Sequence, residues 1–416
     1  MKKLISAILV GGMLLTLCAC GDVSRQQKEV IYPKAVASDD YDGSLKQQMD
    51  NPVESSFIAS VNNFSYNTAQ VLLKDTTDNF NYSPLSLYYA LALAGTGAGS
   101  QTQQEIFNLL GVSSNEELSK QSSNLYRLLY SDNNISKLKI ANSLWLDNDV
   151  KFKDSFVSNA ADNFYASTHS LDFSDKDSAK AMSDWISENT DNILVPNINL
   201  NPDDILSIIN TIYYYSEWLD EFNKKLTKQD TFHGESKDIK ADFMSQTKHS
   251  TGFLKGDGFS KSSLFLKDNG SMTFILPDKG VSISELISKK GSVQDLFEEG
   301  EQGIGKVVWK IPKFKFDTAC NLKDTLKTLG IVKAFRETAD FSDITDEMAF
   351  IGDVMQNTHI GIDEKGVEAA AFTQLLYAGA STNDGEAEML LDRPFIYGIK
   401  KDGILVYIGV CNNPSK

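Results

Sequence analysis

The chain has 416 residues, 41% of them hydrophobic, which is ample for a core and by length alone suggests two or three domains. Its formal net charge is −16, so no electrostatic case exists for nucleic-acid phosphate as a ligand. An acidic balance of this kind favours solubility over a particular basic partner, and no repeat of solenoid length recurs.

Lys2 and Lys3 precede an apolar run over residues 5–17 that is too short for a comfortable membrane span. The N-terminus therefore reads as a targeting segment. Leu17-Cys18-Ala19-Cys20-Gly21 resembles a bacterial lipobox, in which Cys20 carries lipid and begins the mature chain. An ordinary signal peptide with an incidental cysteine is the alternative. On the lipobox reading residues 1–19 are removed and 20–52 form a flexible tether rich in Ser, Asp, Gln and Lys. Residues 53–416 then form the folded part.

Phe57, Val61, Phe64 and Val71 fall near one face of a helix. Ser83 and Pro84 open the next helix as cap and first residue. Its body, residues 85–94, is apolar nearly all round, which predicts burial. Residues 101–110, 115–130, 153–165 and 178–192 read as further helices. Leu138, Ile140, Leu144 and Leu146 alternate as in a half-buried strand. The apolar run 205–215 predicts a strand covered on both faces. Residues 222–280 read as short strands with polar turns. Val307, Trp309 and Ile311 share one parity and Phe314 and Phe316 the other, which puts a bend or bulge at Pro312. A helix over 322–329 closes at Gly330. Residues 394–399 and 404–410 make a hairpin turning at Lys401-Asp402-Gly403. Helices come early and strands late, which predicts a mixed α+β fold.

Little points to catalysis. Gly300 to Lys306 has the spacing of a phosphate loop, but Val307 stands where Ser or Thr is needed, and the loop precedes a strand. His169, His233, His249 and His359 show no metal-binding spacing, and there is no Gly-x-Ser-x-Gly elbow. Cys320 and Cys411 remain in the folded part. A disulfide suits an exported protein, while two separate buried thiols suit the spacing better.

The informative stretch begins at Gly361-Ile362-Asp363-Glu364-Lys365-Gly366-Val367, a strand end followed by a glycine hinge. Glu368 and Ala369-Ala370-Ala371 follow, then a polar run to Arg393-Pro394-Phe395. A loop this long is usually functional in a folded domain. Val367, Ala369, Ala371, Thr373 and Leu375 share one parity and would tolerate a core if the stretch became a strand. Glu368, Ala370, Phe372 and Gln374 would face solvent, where Phe372 is poorly placed.

These residues resemble the hinge of the serpin family, and the resemblance covers roughly residues 53–416. Arg393-Pro394-Phe395-Ile396, Ile408-Gly409 and Asn413-Pro414 are similar to the family's C-terminal pattern. Asn79 with Ser83-Pro84-Leu85-Ser86, Ala141-Asn142-Ser143-Leu144, Asn210-Thr211-Ile212-Tyr213 with Trp218, and Phe232-His233 agree in order. The resemblance implies one α+β domain with three β-sheets, about nine helices and an exposed reactive centre loop over about 364–392. It overrides the two or three domains suggested by length.

The resemblance also implies an inhibitor and not an enzyme. A target serine protease attacks the loop, the acyl-enzyme forms, and the cut loop inserts into the large sheet. Glu364 and Lys365 begin the hinge, Gly366 permits the backbone change, and Val367 enters first, followed by Glu368, Ala369, Ala370 and Ala371. Counting from Glu364 puts the scissile bond at Ala380–Ser381, with Tyr377, Ala378 and Thr382 as rivals. Alanine there suits the shallow pocket of elastase-like enzymes. Ser83, Ser86 and Asn210 match the shutter, with Gln356 in place of the family's histidine. Trp218, Thr227, Lys313 and Glu364 match the breach. Lys120 and Arg127 lie in a helix that also carries Glu116 and Glu117, so no heparin-type cofactor is implied. No other cofactor and no metal is implied. The expected partners are an elastase-like protease, bound covalently, and a membrane reached through the lipid anchor on its extracytoplasmic side, with the protein a monomer. The alternatives are a non-inhibitory member of the same fold, and a surface lipoprotein that binds a ligand or is a cryptic hydrolase.

Overall fold

The computed structural model describes residues 30–415, apart from 75, 203, 291, 299–302, 353 and 368–384. The first helix lies inside the stretch expected to be a flexible tether. Asp40 caps α1 (Tyr41–Asp50), its carboxylate accepting from the Gly43 N–H at 2.8 Å. The helix buries none of its own residues and is tied down by the Gln47 amide, which donates to the Arg127 carbonyl.

Next, α2 (Ser55–Leu73) turns Phe57, Val61 and Phe64 inward, and Val71 is half-buried. After β1 (Phe80–Tyr82), the Ser83 hydroxyl caps α3 (Pro84–Thr96) by accepting from the Ser86 N–H. All of α3 but Ala90 is buried, as its apolar circumference requires. There follow α4 (Ser100–Leu110), α5 (Asn115–Leu129), β2 (Ser131–Asp132), β3 (Ser136–Asp147), α6 (Asp154–Phe164), β4 (Ala166–Leu171) and α7 (Lys176–Asn189). The second half is mostly strand: β5 (Leu206–Glu217), β6 (Lys228–His233), β7 (Asp238–Gly256), β8 (Phe259–Phe265) and β9 (Gly270–Pro277). Then come α8 (Ile283–Lys290), α9 (Val293–Glu298), β10 (Gly303–Pro312), β11 (Phe314–Asn321) and α10 (Lys323–Thr328). The chain ends with β12 (Met355–Ile362), β13 (Gly366–Val367), β14 (Glu386–Leu390), β15 (Phe395–Lys401) and β16 (Ile404–Cys411).

Seven strands form one sheet in the order β11-β12-β13-β5-β3-β2, with β4 beside β3. The other nine make two sheets that share β7. One runs β1-β16-β15-β9-β8-β7, and the other joins β6, β7, β10 and β14. Residues 222–280 were expected to give short strands, yet β7 is 19 residues long. It serves both sheets, pairing β6 over 238–243, β10 over 243–253 and β8 over 253–256. The three sheets and ten α-helices among the described residues make a single α+β architecture.

The parity change at Pro312 has a different cause from a bulge. β10 ends there and lies in the small sheet, whereas β11 starts at Phe314 in the seven-stranded sheet. Lys313 sits at the change of sheet and donates its N–H to the Asp242 carbonyl at 2.8 Å. The C-terminal hairpin turns through Asp402 and Gly403, both with positive φ (48° and 81°), as a two-residue hairpin loop of this twist needs. Cys320 and Cys411 are free, and burial pushes both thiols up, Cys320 to about 11.

Candidate functional site

Among the described residues the centre of the seven-stranded sheet is held at one end, by β13. Among the described residues β5 and β12 share no ladder pairing, and β13 stands between them. Gly366 pairs with Glu217, and Val367 pairs with Ser216 on one side and Ile362 on the other, antiparallel to both strands. Below β13 the strands flank an opening lined by Ile212, Tyr214, Ile360 and Tyr407, with Ile193 and Leu194 of the α7–β5 connection against it. The run 205–215 was expected to be covered on both faces. Leu206 to Asn210 are instead half-buried, and full burial begins at Thr211.

The turn into β13 follows from local chemistry. Asp363 Oδ1 accepts from the N–H of Lys365 at 2.8 Å and of Gly366 at 3.2 Å, and the Asp363 N–H returns to the Gly366 carbonyl. Gly366 was expected to allow a backbone change. Its φ is not positive, and the constraint on it is close approach: a Cβ would lie 2.2 Å from the Ser216 carbonyl oxygen and 2.6 Å from Glu217 Cα. Val367 is 1% exposed beside this contact.

The four breach residues meet at this turn. Glu364 is 5% exposed, with Lys313 Nζ 2.9 Å from Oε2 and the Thr227 hydroxyl donating to Oε1 at 2.7 Å. Burial pushes the Glu364 carboxyl up, but the hydrogen bonds from Thr227 and Lys313 outweigh it and hold the group below the usual range. Trp218 clamps the same turn. Its indole N–H donates to the Asp363 carbonyl at 2.9 Å and its backbone N–H to the Lys365 carbonyl at 3.0 Å.

The shutter residues fall into two clusters. Gln356 accepts from the Ser83 N–H and donates back to the Ser83 carbonyl, both at 2.9 Å. The Ser83 hydroxyl donates to the Val406 carbonyl and accepts from the Ser86 N–H, so β12, α3 and β16 are joined at one point. Asn210 belongs elsewhere. On β5 it donates to Asn142 Oδ1 of β3 at 2.6 Å, and Asn142 donates on to the Phe164 carbonyl.

Cys20, Glu368, Ala369, Ala370, Ala371, Ala380 and Ser381, with Tyr377, Ala378 and Thr382, lie outside the described residues. The far end of the expected loop is a strand, with β14 pairing parallel to β10 from Lys306↔Glu386 to Lys310↔Leu390. Among the described residues no group of three or more His, Cys, Asp or Glu side chains is arranged to hold a metal.

A family model described as serpin (serine protease inhibitor) matches residues 59–414. The chain belongs to the serpin family. Curated relatives include Serpin-Z1C of Triticum aestivum, 27% identical over 82% of this chain and 91% of its own length. A serpin-like protein of Methanosarcina acetivorans is 29% identical over 87% of this chain and 88% of its own. Among solved structures, a thermophilic serpin, tengpin, in the native state superposes with a TM-score of 0.77 at 26% identity, covering 87% of this chain and 95% of that one.

Part of this serpin's hinge was not anticipated. Glu217, at the end of β5, is 7% exposed and takes Lys365 Nζ and Lys267 Nζ, each at 2.8 Å. Burial pushes its carboxyl up, and the two lysines more than reverse that. Lys365 also donates to the Tyr215 hydroxyl at 3.0 Å. The signal available in the sequence was an acidic residue closing an apolar run just before Trp218.

Proposed function

We propose that this serpin inhibits serine proteases as a suicide substrate. The protease attacks the loop and is itself acylated by it, and the cut loop enters the seven-stranded sheet as a full strand. One observation carries this reading: Gly366 and Val367 already form an antiparallel pair of residues between β5 and β12, which are otherwise unpaired with each other among the described residues. Stepping the same register down β5 to Leu206 would bring in residues 368–377. On the order of ten new backbone hydrogen bonds at ~1 kcal/mol each gives a driving force of roughly 10 kcal/mol before packing.

The small residues Ala369 and Ala371 suit the buried parity of such a strand. Phe372, awkward on a solvent face, would meet a face against which Ile193 and Leu194 already lie. With Ala380 at the scissile bond, elastase-like enzymes are the target class. Cys20 carries the lipid that holds the exported protein on the extracytoplasmic face of a membrane.

Incubation with pancreatic or neutrophil elastase tests the reading. A complex stable on denaturing gels and a released peptide starting at Ser381 are expected. Loop cleavage without complex would instead favour a non-inhibitory serpin.

A further inference from the structure

One polar atom beside the slot takes no part in these contacts. His359 lies on β12, and its Nδ1 is hydrogen-bonded to Asp317 Oδ1 on β11. The side chain is 11% exposed, and among the described residues the buried Nε2 has no hydrogen-bond partner. A neutral imidazole that donates from Nδ1 to a carboxylate keeps a bare lone pair on Nε2. Burying that lone pair unpartnered is unfavourable and calls for an explanation.

Nε2 borders a notch over Gly361. A Cβ on Gly361 would stand 3.7 Å from His359 Nε2 and 3.6 Å from Lys315 Cγ. The missing side chain thus leaves room between an imidazole and a lysine stem, and both Gly361 and His359 line the opening below β13.

The register of β13 selects the occupant. Val367 is buried opposite Ile362. The next antiparallel pair would set residue 368 opposite Gly361, on the other face of the sheet, and residue 368 is glutamate. We propose that His359 and Lys315, above Gly361, form a receptor for the Glu368 carboxylate that fills only when the loop enters the sheet. This rests on the insertion mechanism proposed above.

The proton balance follows from the atoms. Carboxylates only accept, so a ring serving both Asp317 and Glu368 must donate from both nitrogens. Seating Glu368 therefore takes one proton from solvent onto Nε2, and no other bond changes. Among the described residues, Asp317 on β11 is hydrogen-bonded to the ring, Lys315 on β11 flanks Gly361, and Tyr213 and Tyr214 on β5 with Tyr407 on β16 line the same opening. β1 presents the Asn81 amide, which donates to the His359 carbonyl, and the α7–β5 connection presents Thr190, Ile193 and Leu194.

The test offers the intact protein a synthetic acetylated peptide of residues 368–377, which continues the register below β13, with Glu or Gln at the position of Glu368. Annealing is followed by native-gel mobility and the rise in unfolding temperature. The Glu peptide should anneal about tenfold better than the Gln peptide. In His359→Gln protein the two peptides should differ by less than about twofold. Equal annealing to wild type, or an undiminished gap in His359→Gln, overturns the receptor. If His359→Gln does not fold, His359→Asn takes its place, and an undiminished gap there overturns the receptor. If neither peptide anneals, the insertion mechanism itself fails and the receptor with it.

Discussion

Lys313 Nζ stands 2.9 Å from Glu364 Oε2 and so ties the point where the chain changes sheets to the turn that feeds β13. The pair is asymmetric, since the carboxylate is nearly buried and the lysine side chain is 37% exposed. Replacing the carboxylate should therefore cost more than a surface ion pair. Glu364→Gln is expected to lose about 1–3 kcal/mol of stability, because a charged acceptor of two hydrogen bonds becomes a neutral amide. It should also speed spontaneous loop insertion, since the turn above β13 is less firmly held. Scanning calorimetry reads the first effect, and native gels after mild heating read the second.

The same carboxylate sets an acid limit. Its folded-state value lies below the ordinary 4.5, so its contribution is fully present above that value and is lost as pH falls through the lower folded one. Glu217 is depressed in the same direction and adds to the effect. Urea unfolding should show a stability decline setting in below about pH 4.5, and Lys313→Met should flatten part of that slope. An unchanged slope in Lys313→Met would mean that the pair does not govern the titration.

Local chemistry explains what was legible from sequence. The Ser83 cap, the apolar circumference of α3, the Asp402-Gly403 turn and the residues around Glu364 all announce themselves within a few positions. Non-local pairing explains what was not. The length of β7 depends on β10, a partner distant in sequence that takes over between the hairpin partners β6 and β8, and no local pattern marks a strand that passes between two sheets. Helix α1 has no buried face, so periodicity could not reveal it, although Asp40 is a cap signal. Asn210 matched the same motif as Ser83 but pairs across β3 with Asn142, because register and not motif membership decides which side chains meet.

Gly366→Ala tests the close approach at β13. A methyl group 2.2 Å from the Ser216 carbonyl oxygen cannot be relieved by a rotamer change, because the obstacle is backbone. β13 should be expelled from between β5 and β12, with faster hydrogen exchange at the amides of residues 216, 217, 366 and 367. Unaltered exchange there would mean that the two strands separate enough to admit the methyl.

Gln356→Ala should be among the more destabilising polar changes in the sheet. It removes the partner of both the Ser83 N–H and the Ser83 carbonyl at a site where Ser83 is 1% exposed. A cost of about 2–4 kcal/mol is expected for two buried backbone groups left unpaired. Gln356→His should cost less, since an imidazole still donates or accepts there. The two variants compared by urea unfolding separate the hydrogen bonds from mere occupancy of the site.

Val367→Arg distinguishes inhibition from simple cleavage. The side chain at 367 lies between Ile362 and Ser216 and faces the core, so a guanidinium there must either be buried unpaired or keep β13 out of the sheet. Acylation needs only an accessible loop, so an elastase should still cut the variant. Trapping needs the loop to enter faster than the acyl-enzyme hydrolyses, and a barrier raised by about 3 kcal/mol slows entry roughly a hundredfold. The expected result is cleaved serpin with active protease, and little or no covalent complex on a denaturing gel. As much complex as wild type would show that trapping does not begin with entry of Val367.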